Sequence, residues 1–175
     1  MAYCWRRLAA AALVATAPLA SSHAADPQVE RGKYLVELGG CTDCHTPGHL
    51  LGHPDMARYL GGSDVGFGIP AVGVFVGPNL TPDRETGLGS WTREQIVTAI
   101  TTGVRPDGRV LAPVMPWRGL SHLTKSDALA IAAFLKNLPV VRNKVPGPFG
   151  PRDTPSVFVM SAVPGDVYSG LPQPK

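Results

Sequence analysis

The sequence predicts an all-α fold of three main helices joined by long loops. Three segments each combine a start signal with apolar residues repeating at helical spacing. The chain also holds 20 glycines and 18 prolines among 175 residues, which points to much irregular structure between the helices. Removal of an export leader leaves about 150 residues, the length of one domain. A small helical fold this rich in loops holds together when a large apolar cofactor supplies core surface.

The leader comes first. Residues 1–24 read as a signal peptide. Arg6 and Arg7 form a positive start, and Leu8 to Ala20 is an Ala/Leu/Val run too short to span a bilayer. Ser22-His23-Ala24 matches the small-x-small cleavage pattern. Cys4 leaves with this leader, so Cys41 and Cys44 are the only cysteines of the mature chain.

The first helix opens at Asp26-Pro27, an N-cap acid with proline at the first helical position. Val29, Gly32 and Val36 share a face, and Gly39-Gly40 ends it. The second follows Trp91, with Thr92 as N-cap and Gln95 completing a capping box. Ile96, Val97 and Ile100 form its apolar stripe, and Gly103 stops it. The third has Thr124 as N-cap, Asp127 at N3, and Ala128, Ile131, Ala132, Leu135 and Leu138 at helical spacing before Pro139. A long Gly-rich stretch, residues 46–89, separates the first two helices. Within it Val72 to Val76 reads as a short strand, and a loop of this length is functional or packed on a cofactor. Eight prolines in the last 37 residues forbid regular helix there. The expected organisation is a leader over 1–24, one domain over 25–145 and a Pro-rich extended tail over 146–175. The apolar piece Val157 to Met160 suggests that the tail packs on something.

The chemistry lies in Cys41-Thr42-Asp43-Cys44-His45. The spacing C-x-x-C-H attaches one c-type haem covalently, with two thioethers to the porphyrin and the adjacent His45 as proximal iron ligand. A redox disulfide wants a βαβ context that does not follow here. A structural zinc site wants a second pair of ligands that the chain lacks. Electron-transfer haems take Met or His as sixth ligand. Met56, Met115, Met160, His49, His53 and His122 are the candidates. Met115 is preferred because two prolines stiffen Leu111-Ala-Pro-Val-Met-Pro-Trp117, so a thioether can be aimed with little loss of entropy. Met56 and Met160 read as core filler, and a bis-His site stays as the alternative.

The order of helix, C-x-x-C-H, Gly77-Pro78-Asn79-Leu80, Trp91-led helix, Met115-Pro116 loop and final helix resembles a class I cytochrome c. Arg31 to Leu35, Asn79 to Asp83 with Thr86 to Gly89, Pro106-Asp107-Gly108 and Pro113 to Trp117 resemble more closely one haem module of the cytochrome subunits of bacterial membrane-bound alcohol and aldehyde dehydrogenases. The resemblance covers about residues 27–145. It implies a class I fold, three main helices with long loops around one covalent haem. It implies that the Pro78 carbonyl accepts the N–H of His45, that Asn79 and Leu80 flank it at the haem, that the Trp91 indole meets a haem propionate, and that Gly32 touches the last helix near Phe134. Those subunits carry three such modules. This chain has one C-x-x-C-H, so their quinone-linked role does not transfer whole.

Composition narrows the partners. The mature chain has 14 basic and 13 acidic residues, and haem propionates add about two negative charges. No basic stripe marks nucleic acid, and no later segment is apolar enough to span a membrane. The expectation is an electron-transfer protein rather than an enzyme. It is read as a periplasmic monohaem carrier between a dehydrogenase as donor and an oxidase or another cytochrome as acceptor. The alternatives are a haem subunit fixed in a dehydrogenase complex and an open-site haem protein that binds peroxide or a small gas. The exposed haem edge is expected around Thr42, Asp43 and Thr46.

Overall fold

A computed structural model describes residues 26–171. The leader read over residues 1–24 lies outside the described residues. The first helix, α1, spans Pro27–Leu38. Asp26 caps it by accepting from the Gln28 N–H at 2.9 Å, which satisfies one of its free first-turn donors. Gly40 then adopts φ +63°, and the chain turns at once into the one-turn helix α2, Cys41–His45. Two short 3-10 turns, His49–Leu51 and Met56–Arg58, follow.

Strands β1, Val65–Ile69, and β2, Gly73–Val76, form an antiparallel hairpin with Phe67 opposite Phe75. Helix α3, Arg93–Thr102, opens with both halves of the capping box made. The Thr92 N–H donates to Gln95 at 2.9 Å, and the Gln95 N–H donates to the Thr92 hydroxyl at 3.1 Å. Gly103 closes it at φ +75°. A single turn, α4, covers Trp117–Leu120. Helix α5, Lys125–Asn137, is capped by Thr124. It ends where Leu138 is held extended ahead of Pro139.

The core forms where α1 crosses α5. Val36 meets Ile131, Ala132, Phe134 and Leu135, with Leu60, Leu88, Ile96 and Leu138 completing the cluster. Gly32 sits at the crossing. A Cβ there would run into the Ala130 carbonyl and come within 2.8 Å of the Phe134 Cβ, so the two helices approach backbone to backbone. Val97 and Ile100, read as part of a buried stripe, are half-buried, and Ala99 takes the inner position beside Ile96.

The all-α expectation needs correction. Among the described residues six α-helices accompany a three-stranded mixed sheet of order β2-β1-β3. Strand β3, Phe158–Ser161, comes from the tail and pairs parallel to β1, with Phe67 opposite Met160. The tail is bonded to the body earlier as well, where Phe149 bridges Val74. It also contains one turn of helix, α6, Gly165–Ser169, within a stretch expected to be extended. Proline at its N-cap, Pro164, starts rather than interrupts a helix. Met56 and Met160, read as core filler, are both exposed.

Candidate haem site

Helix α2 places Cys41, Cys44 and His45 on one turn at the end of α1. His45 is 5% exposed, and its Nδ1 lies 2.7 Å from the Pro78 carbonyl. An Nδ1–H donating to that oxygen leaves the Nε2 lone pair available as a ligand. Nε2 has no hydrogen-bond partner among the described residues. Burial pushes the imidazole's pKa down, against a smaller upward pull from the Pro78 carbonyl. The ring is therefore neutral, the state that binds iron.

The loop that carries Pro78 lies directly on α2. Gly77 has to be glycine, because a Cβ there would collide with the Cys44 carbonyl. The Gly62 N–H donates to the His45 carbonyl at 2.8 Å, and the Ser63 N–H to Gly77 at 2.9 Å. The Thr46 hydroxyl accepts from Leu60 at 3.0 Å, and the Leu80 N–H donates to Leu60 at 2.9 Å. Thr46 is thereby buried and is no part of an exposed edge, whereas Asp43 is exposed.

Asn79 is buried with both polar atoms of its side chain engaged inside the protein. Its amide donates to the Thr86 hydroxyl at 3.0 Å and the Val141 carbonyl at 2.6 Å. Its oxygen accepts from the Thr81 N–H at 2.9 Å and hydroxyl at 2.7 Å. A fully satisfied amide has nothing left for a ligand; the Asn79 side chain instead ties the segment after Pro78 to Thr81, Thr86 and Val141. Leu80, Trp91 and Cys41 flank the core as half-buried side chains together with Val97 and Ile100.

The donor set suits a covalent haem. Burial pushes the Cys41 thiol up to about 11, and burial together with Asp43 raises Cys44. Both are neutral thiols in a largely apolar setting, suited to thioether formation rather than to holding a metal as thiolates. Among the described residues no group of three Cys, His, Asp or Glu side chains could hold a metal ion. The Tyr59 hydroxyl is buried without a partner. It lies close enough to Cys41 for the two to interact electrostatically. The Trp91 indole N–H likewise has no acceptor among the described residues. An imidazole with a free Nε2, two half-buried thiols and two idle donors fit a porphyrin attached at Cys41 and Cys44.

Met115 sits half-buried in a closed turn. Its N–H donates to Ala112 at 3.0 Å and its carbonyl accepts from Trp117 at 2.8 Å. Leu111 returns to the Gly103 carbonyl at 2.8 Å, and the Trp117 ring packs on Gly103. The loop is thus anchored to the end of α3. Among the other candidate ligands, His49 faces Asp43 at 3.3 Å, and His53 and His122 are exposed.

Three residues escape sequence reasoning. The Lys136 ammonium donates to the carbonyls of Leu88, Gly89 and Trp91 at 3.1, 2.9 and 3.0 Å, which fixes the turn that presents Trp91. Arg105 lies over the Trp91 ring at 5.3 Å. Tyr59 is the third. A lysine in a last helical turn and an arginine before Pro-Asp-Gly are ordinary surface patterns, so only the adjacency of the Pro-Asp-Gly turn hinted at Arg105.

A family model for cytochrome c matches residues 29–139. The chain is 34% identical over 148 residues to the cytochrome c subunit of a quinone alcohol dehydrogenase from Gluconobacter oxydans, covering 81% of this chain and 29% of that protein. It is 31% identical over 132 residues to the fructose dehydrogenase cytochrome subunit of Gluconobacter japonicus, covering 74% and 26% respectively. A dihaem c-type cytochrome of Cereibacter sphaeroides is 38% identical over 120 residues, with 66% of this chain and 37% of that protein covered. The chain spans about a quarter to two fifths of the length of these curated relatives. With the matched region reaching from α1 through α5, the chain belongs to the cytochrome c family and is an electron-transfer haem protein.

Proposed function

We propose that this protein is an exported monohaem cytochrome that carries one electron at a time from a periplasmic dehydrogenase to an oxidase or another cytochrome. The carrying observation is the 2.7 Å contact between His45 Nδ1 and the Pro78 carbonyl, made on a C-x-x-C-H turn. It orients a neutral imidazole with its other nitrogen free for iron. The single C-x-x-C-H in the sequence supports one haem. The names of the relatives support a dehydrogenase as the electron donor.

In this reading Cys41 and Cys44 hold the haem, and His45 and Met115 are its axial ligands. The haem iron supplies a one-electron Fe(III)/Fe(II) couple. The chain's own contribution is to hold both ligands still in either state. Pro78 and Asn79 do this for His45, and the closed Ala112–Trp117 turn does it for Met115. Little rearrangement then accompanies the change of charge.

Extraction of the purified protein with acidified acetone tests the attachment. Wild-type haem is expected to stay with the protein. Replacing both Cys41 and Cys44 by Ala is expected to leave almost no holoprotein. Haem released from the wild type into the organic phase would sink the reading.

A further inference from the structure

We infer that residues 141–145, just past α5, form a positioning strap for the proximal histidine: through Asn143 the strap holds the Gly61-Gly62 turn against His45, keeps the His45 ring bonded to Pro78, and so lowers the reduction potential of the iron. The inference deepens the proposed haem site and rests on it.

The sequence Val141-Arg-Asn-Lys-Val145 alternates. Val141, Asn143 and Val145 are half-buried, and Arg142 and Lys144 are exposed, the period of an extended chain lying on a surface. That surface is the glycine pair beside His45. A Cβ on Gly61 would come within 2.8 Å of the Val141 side chain, and one on Gly62 would run into that of Val145. The Asn143 amide donates to the Gly61 carbonyl at 2.8 Å. The next N–H, that of Gly62, donates to the His45 carbonyl at 2.8 Å. The strap also reaches the other side of the histidine. The Val141 carbonyl accepts from the Asn79 amide at 2.6 Å, one residue past the Pro78 carbonyl that the His45 ring contacts. The Asn143 N–H donates to the Thr86 hydroxyl at 3.1 Å, and that hydroxyl accepts from Asn79 at 3.0 Å. The strap therefore cross-links the loop that bonds the His45 backbone to the loop that bonds its ring. It lies beyond residues 29–139, the part that the cytochrome c family model matches.

The Asn143 side chain is the link that a substitution can remove, because the hydrogen bonds of the strap to Asn79 and Thr86 run through its backbone. Gly61 is buried, and its carbonyl takes its hydrogen bond from Asn143. Loss of that donor leaves a buried acceptor unpaired, which the turn relieves by shifting. Gly62 then moves on His45, and the ring loses its alignment with Pro78. A ring N–H donated to a carbonyl makes an imidazole a stronger donor to iron. A stronger donor favours the more positive Fe(III) state and lowers the potential. Weakening that bond raises it.

The test uses full-length holoprotein carrying N143L, which keeps the volume and loses the donor, or N143A, N143Q or S161A. Two quantities are read: the midpoint potential by spectroelectrochemistry, and the deuterium exchange rate of the His45 ring N–H by NMR of the reduced protein. In N143L and N143A the ring N–H should exchange about tenfold faster, as expected for loss of about one hydrogen bond's worth of protection. The Fe(III)/Fe(II) ratio at fixed ambient potential should fall about threefold, a rise of about 28 mV for a one-electron couple. N143Q, which still carries a donor, should lie between wild type and N143L. S161A removes a bond from the tail to Gly68 at 3.1 Å, on the hairpin rather than on either loop at His45, and should change neither quantity. A potential and exchange rate equal to wild type in N143L and N143A, even with a lowered melting temperature, would reduce Asn143 to a purely structural residue and overturn the inference. So would an S161A shift equal to that of N143L, which would assign the effect to any loosening of the tail. Absence of covalent haem from the wild type would instead bring down the underlying reading.

Discussion

Met115 and His45 differ in how the chain holds them. His45 is fixed by a hydrogen bond to its own ring and by burial, whereas Met115 is fixed through backbone bonds on both sides of it. A thioether is a weak ligand that depends on being presented. Met115→Ala is therefore expected to abolish the weak long-wavelength absorption of a Met–Fe(III) bond, lower the potential and let cyanide or carbon monoxide bind. Met56→Ala and Met160→Ala should change none of these, since both side chains are exposed. An unchanged Met115→Ala spectrum together with an altered His122→Ala spectrum would establish the bis-His alternative. The loop behind His45 also carries a pH signature. Asp83 accepts from the Thr86 hydroxyl and N–H at 2.7 Å each and from the Glu85 N–H at 3.1 Å. The Thr86 hydroxyl first, and then these backbone donors, lower its pKa from the ordinary 3.8. A depressed folded-state value stabilises the fold above the ordinary carboxylate pKa, and this stabilisation is lost as pH falls through the lowered one. Asp83→Asn should lower the melting temperature at pH 7, and the two proteins should converge in strong acid. A constant gap in thermal melts from pH 7 down to pH 2 would refute the assignment.

The crossing of α1 and α5 organises the elements, and it turns on one missing side chain. Gly32→Ala gains about 1 kcal/mol in helix propensity. It also places a methyl group against the Ala130 carbonyl, a backbone atom that no rotamer change can move. The helices must separate, and overpacking of this kind costs about 1–3 kcal/mol, so the net change in denaturant melts should be destabilising. A more stable Gly32→Ala protein would show that the helices slide apart freely. The helices themselves were legible in the sequence because their signals are local. Asp26-Pro27, Thr92 with Gln95, and Thr124 each cap the helix they were expected to cap. The sheet was not legible. Strand β1 reads Val65-Gly-Phe-Gly-Ile69, so its alternation sits inside a Gly-rich loop pattern. Its pairing with β3 joins Gly68 to Ser161, a contact far along the chain that no local periodicity records. The same distinction applies to the site. The haem motif and the Pro78 contact follow from spacing and resemblance. Tyr59, Arg105 and Lys136 matter only through neighbours brought to them by the fold.

At the scale of the whole molecule, charge decides how a partner finds the site. Residues 25–175 are nearly balanced, with 14 basic and 13 acidic residues, and the two propionates of a haem would tip them slightly negative. The ion pairs of the described residues are mostly exposed and spread over the surface: Arg58 with Asp55, Arg142 with Glu85, Arg31 with Asp127. They form no single-signed field. Within the haem motif the Asp43 carboxylate lies 3.3 Å from the His49 ring. Long-range steering needs a concentrated charge of one sign, and its effect fades beyond a Debye length of about 8 Å at physiological salt. Docking at the haem edge by Cys41 and Asp43 should therefore rest on short-range contact. In stopped-flow experiments with a dehydrogenase that reduces the protein, the second-order rate constant is expected to change only weakly between low and physiological salt. A fall of more than about tenfold across that range would show that a charged patch guides the partner.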